Sequence, residues 1–127
     1  MVSSRKPVEW MGSSLKEIRS FPEEVKDVLG FAIGLAQDGG KHPNAKPLTG
    51  DKAFRSGGVL EVVDDFDGNT YRAVYTVRFS AAIYVLDVFQ KKSKKGIATP
   101  KADIERIKTR LKAAQVHYEA SYGTRTA

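Results

Sequence analysis

Three adjoining stretches decide the fold: VLEVVDDF (59–66), TYRAVYTVRF (70–79) and AIYVLDVF (82–89). The first is dense in β-branched residues and reads as a strand. Asp67-Gly68-Asn69 then predicts a tight hairpin turn. In the second stretch, Tyr71, Ala73, Tyr75, Val77 and Phe79 fall on one face, and Arg72, Val74, Thr76 and Arg78 on the other. A turn near Ser80-Ala81 leads into the third stretch. It is apolar on both faces, which places it centrally in a sheet.

Helical signals flank this core. Ser14 with Glu17 three residues on has the form of a capping box, opening a short helix through Ser20. Pro22 cannot continue that helix but suits the first turn of the next, which runs to about Asp38. Val25, Val28, Leu29, Ala32, Ile33 and Ala36 line one face of it, and Gly39-Gly40 ends it. Residues 6–11, KPVEWM, form a candidate edge strand, and 41–58 a polar loop. Thr99-Pro100 starts a last helix by cap-plus-proline logic. Its stripe of Ile104, Ile107, Leu111, Ala114 and Tyr118 packs on the sheet or on a partner, with Lys101, Glu105, Lys108 and Lys112 opposite. The tail after Tyr118 reads as loose. The class is α+β, with two N-terminal helices on a twisted antiparallel sheet of three to five strands and one C-terminal helix. One domain over 1–127, with its core at about 8–118, accounts for the chain.

Composition narrows the function. With 127 residues and no cysteine, the chain can bury a core without disulfides or thiolate metal sites. Nothing in it spans a bilayer or resembles a secretory signal, so the expectation is a cytoplasmic protein and no membrane partner. The net charge is +6, and residues 91–127 hold ten basic and three acidic side chains. The positive field therefore gathers in the last third, where it attracts polyanions. A basic face that only maintains solubility is the plainer account.

The residues exclude several chemistries. There is no glycine-rich phosphate loop. His42 and His117 lack ligand-spaced companions, so neither a metal nor another cofactor is expected. Asp64, Asp65 and Asp67 read as a solvated turn more readily than as a cation site. What remains is positive charge beside aromatic rings: Tyr71-Arg72, Tyr75 and Arg78 on the hairpin, then Phe89-Gln90-Lys91-Lys92-Ser93-Lys94-Lys95 at the end of the third strand. Arginine can clamp phosphate with two donors, lysines add point charges, and an aromatic ring can stack on an unpaired base. Such a set can hold single-stranded RNA. A lysine run that blunts a sheet edge is the other account.

The order of these elements carries a resemblance. Trp10, Leu15 and Phe21-Pro22-Glu23-Glu24-Val25, then Tyr71-Arg72-Ala73-Val74-Tyr75, Val88-Phe89-Gln90-Lys91-Lys92-Ser93 and Thr99-Pro100 with Asp103-Ile104 and Arg110 resemble the phage-derived Gp49-like branch of the HigB toxins, in the RelE/ParE superfamily. The resemblance implies a RelE-like fold and a type II toxin that cleaves messenger RNA on the ribosome. It implies no metal, attack by the RNA's own 2′-hydroxyl, and a helix-turn-helix antitoxin as partner. On this reading Arg72 stabilises the developing phosphate charge. Lys92 stabilises the transition state or protonates the leaving oxygen. Lys91, Lys94, Lys95, Phe89, Tyr71 and Arg78 bind RNA. The family pattern Glu-Leu-Arg reads Glu61-Val62-Val63 here, without the arginine. The tyrosine that RelE toxins carry after the last strand is matched only by Ile97 or Thr99. Glu61 or Tyr75 then stands as the general base, or activity is weak or lost. A degenerate toxin acting as a binding module, and a ParE-like gyrase inhibitor, are the competing functions. Oligomeric state stays open.

Overall fold

A computed structural model describes residues 5–91 and 99–123, Lys91 by its backbone alone. The elements run β1 (Val8–Trp10), α1 (Ser14–Arg19), α2 (Glu23–Gln37), β2 (Lys46–Pro47), a 3₁₀ turn (Lys52–Phe54), β3 (Val59–Phe66), β4 (Asn69–Thr76), β5 (Ile83–Lys91) and α3 (Lys101–Tyr122). The class is α+β. The five strands lie in the order β1-β5-β4-β3-β2. The sheet is mixed where an antiparallel one was expected, because β1 runs parallel to β5, pairing Val8 with Ile83 and Trp10 with Val85. The parallel pairing is short, and Met11 N–H closes it by donating to the Val85 carbonyl at 2.9 Å.

The hairpin follows the sequence closely. Phe66 pairs with Asn69 across a two-residue turn. Asp67 and Gly68 both take positive φ, 52° and 81°, as the right-handed twist of a tight hairpin demands. The β4 strand stops at Thr76 instead of running to Phe79, since Val77–Phe79 turn away toward the loop before β3.

Each face of the sheet carries its own core. Helices α1 and α2 cover one, with Val25, Leu29, Ile33, Val62, Ala73, Tyr75 and Val85 packed together. Helix α3 covers the other, over Val59, Val74, Tyr84 and Leu86 through Ile104, Ile107, Leu111 and Ala114. Its apolar stripe is thus accounted for within the chain. Because β4 and β5 are covered on both faces, the polar side chains of β4 are buried too: Thr70, Arg72 and Thr76 as well as the tyrosines.

Several local expectations change. The capping box does not form: Ser13 takes the cap position without a side-chain bond, and the Ser14 hydroxyl lies 3.4 Å from the Val85 carbonyl. The loop 41–58 is not purely polar, for Ala45, Leu48 and Phe54 are buried and β2 adds an edge strand. The last helix starts one residue later, with Pro100 at the cap and no side-chain cap bond. It also continues past Tyr118 to Tyr122, whose hydroxyl donates to Glu9 at 2.5 Å. Among the described residues, no helix is long and apolar enough to cross a membrane.

Candidate functional site

Cross-strand partners share a face of a sheet, so register sorts the candidate residues. Arg72 stands opposite Val63 on one side and Phe89 on the other, while Glu61 stands opposite Val74. Arg72, Glu61 and Phe89 therefore all face α3. Tyr71 and Tyr75, one residue out of phase with Arg72, face α1 and α2.

On the α3 face three side chains meet. Arg72 Nη1 donates to Glu61 Oε2 at 2.9 Å. The Thr99 hydroxyl donates to the same oxygen at 2.6 Å and lies 3.3 Å from Arg72 Nη1. The pair is well shielded, with side chains 5% and 16% exposed for Arg72 and Glu61. Three chain segments supply this cluster: β3, β4 and the residue that precedes α3's cap. A cavity of about 540 Å³ opens beside Thr99, lined by Gly50, Asp51, Lys101, Ile104 and Glu105. The Asp51 carboxyl there sits below its ordinary 3.8, held down by the Ala53 N–H and by Lys108 at 3.1 Å.

A second polar layer lies toward β5. The β4–β5 register shifts by one residue at Val74/Tyr75, so Leu86 and Asp87 are both accommodated where one residue would pair. Asp87, 3% exposed, receives Arg106 through Nε at 3.0 Å and Nη2 at 2.7 Å, and Arg110 at 2.9 Å. Arg106 also pairs with Asp103, and its guanidinium lies 5.8 Å from the centre of the Phe89 ring. A groove of about 500 Å³ runs along this edge of β5, between Glu17 of α1 and Arg106 and Arg110 of α3.

The remaining predicted residues disperse. Tyr75 is fully buried on the α2 side, and burial pushes its hydroxyl up to about 12. Tyr71 is buried on the same side, edge-on to Phe21. Arg78 braces the loop before β3, donating to the Gly57 carbonyl at 2.7 Å and the Ala53 carbonyl at 2.8 Å. Phe89 is half-buried. Lys91 pairs with Thr70 through its backbone, two residues along β4 from Arg72. Lys92, Lys94 and Lys95 lie outside the described residues, as does the side chain of Lys91. Among the described residues, no group of three or more histidine and acidic side chains is placed to hold a metal ion.

Thr99 was expected as a helix cap and, with Ile97, as the only match for the missing tyrosine, but was given no role in the site. Sequence reasoning also passed over the Asp87–Arg106–Arg110 cluster. Asp87 is the one charge within the apolar run AIYVLDVF (82–89), and Arg106 and Arg110 sit four apart on α3, so the signal was present.

The family model described as "Phage derived protein Gp49-like (DUF891)" matches residues 16–112, which include every described member of both polar clusters. No curated protein and no solved structure matches the chain.

Proposed function

The chain belongs to the Gp49-like family of phage-derived proteins, and from that premise we propose that it is the toxin of a type II toxin–antitoxin pair that cuts messenger RNA on the ribosome. The family's association with such toxins supports this, as does a fold we read as RelE-like: a single toxin domain over 1–127, acting in the cytoplasm and neutralised by a helix-turn-helix antitoxin. One observation carries the catalytic part. Glu61, a shielded carboxylate, is bonded to Arg72 and Thr99 on one face of the sheet.

The chemistry needs no cofactor. Glu61 takes the proton of a 2′-hydroxyl, and that oxygen attacks the adjacent phosphorus. The bond to the 5′-oxygen breaks, leaving a 2′,3′-cyclic phosphate and a 5′-hydroxyl. Arg72 provides positive charge behind the carboxylate as the phosphorane gains negative charge. Lys92 gives the leaving oxygen its proton, and Lys91, Lys94 and Lys95 grip the RNA. Tyr75, sealed in the opposite core, has no part in this scheme.

Burial of the Arg72–Glu61 pair favours a second reading, in which the pair is purely structural and the chain binds RNA or its partner without cutting. Expression of the chain alone separates the two. A nuclease arrests growth and leaves new 5′ ends in translated messages by primer extension, and Glu61→Gln abolishes both. Growth arrest without cut ends supports the binder. Intact messages with a DNA-damage response point to gyrase instead.

A further inference from the structure

We infer that Thr99 is a positioning residue for Glu61, fixing which carboxylate oxygen faces the RNA. This rests on the nuclease reading above and deepens it. Both hydrogen bonds to Glu61 fall on one oxygen, Oε2: Thr99 at 2.6 Å and Arg72 at 2.9 Å. Two donors on Oε2 fix the carboxylate plane and leave Oε1 as the proton acceptor. A base that is free to rotate would present either oxygen at varying angles, and proton transfer is sensitive to that geometry.

The position of Thr99 supports a dedicated role. A threonine before proline at a helix start ordinarily serves the helix by accepting from its first N–H groups. Here α3 begins after Pro100 with no side-chain cap, and the Thr99 hydroxyl reaches instead to β3, 38 residues away in sequence. The same hydroxyl lies 3.3 Å from Arg72 Nη1, so it bridges acid and base of the pair. Glu61 is partly accessible, and Thr99 itself lines the adjoining cavity. Arg72 alone cannot orient the carboxylate, since a single donor leaves rotation about the bonded oxygen.

The test is cleavage of a defined message in a reconstituted bacterial translation reaction, with full-length variants and their melting temperatures measured alongside. Thr99→Val keeps the shape and removes the donor. It is expected to lower kcat by roughly 10- to 100-fold with KM and melting temperature near those of the parent. Thr99→Ser, which keeps the hydroxyl, is expected to retain most of the rate. The positioning role is overturned if Thr99→Val cuts at the parent rate while Glu61→Gln is inactive. It is overturned equally if Thr99→Val loses rate only in step with melting temperature, or if Thr99→Ser behaves like valine. Should the intact chain leave the message uncut, or Glu61→Gln cut as well as the parent, the nuclease reading itself falls and takes this role with it.

Discussion

Arg106 and Asp87 meet in a two-toothed ion pair across the seam between α3 and β5, with both guanidinium contacts on Oδ2. Arg110 holds the other carboxylate oxygen at 2.9 Å. Asp87 is the electrostatic anchor of the helix, and truncating it leaves Arg106 to Asp103 and Arg110 to the Leu86 carbonyl, each short of its main anionic partner. Arg106 is 38% exposed and can recruit water, so the loss falls at the low end for a broken buried pair. Asp87→Ala is expected to destabilise the fold by about 3 kcal/mol in urea titration. A change below the error of the titration would mean that the apolar stripe of α3 holds the helix alone.

Tyr75 presents the opposite case. Its ring fills the α2-side core, yet among the described residues its hydroxyl has no hydrogen-bond partner. A buried, unmatched hydroxyl is a standing cost, and phenylalanine removes it without changing the ring. Tyr75→Phe is expected to raise stability by about 1 kcal/mol and to leave growth arrest intact. Loss of toxicity in a stable Tyr75→Phe protein would return the tyrosine to the list of candidate bases.

The fold was largely legible because its signals are local. The Asp67-Gly68 turn, the alternation in β4 and the apolar face of α2 each follow from residues within one element. The parallel pairing of β1 with β5 was not legible, since three residues at Val8–Trp10 carry no mark of direction and their partner lies about 75 residues on. The burial of Arg72 was hidden for a related reason. Alternation tells which residues share a face, but not whether a helix covers that face.

The site divided along the same line. Arg72 and Glu61 were singled out through the family resemblance, and their meeting depends on register, which the hairpin turn fixes. Thr99 was read as a cap because caps are the commonest use of threonine before proline, and only the three-dimensional arrangement diverts it to Glu61. Arg78 was grouped with Arg72 by alternation, but β4 ends before it, and the two arginines serve different elements.

The bracing role of Arg78 is itself testable. Its guanidinium ties two loop carbonyls, and a Cβ on Gly58, where φ is +81°, would sit 2.6 Å from Arg78 Cγ. Arg78→Ala is expected to lower stability by about 1–2 kcal/mol while RNA retention on a filter changes little. A large loss of RNA binding with unchanged stability would restore the RNA-contact role.

Alkaline pH probes both cores at once. Tyr75 and Tyr84 are fully buried, and burial chiefly pushes both hydroxyls from 10.0 up to about 12. Tyr84 also donates to or accepts from His117 Nδ1 at 2.6 Å. The folded chain therefore keeps protons that the unfolded chain releases near pH 10. With fewer protons bound in the unfolded state, stability falls as pH rises, and the loss develops between about pH 10 and pH 12. Urea midpoints across that range should decline, and phenolate absorbance from these two rings should appear only as the protein unfolds. Tyr75→Phe should flatten the decline. Phenolate signal from all five tyrosines in the still-folded protein would show that neither core excludes hydroxide as these packing relationships require.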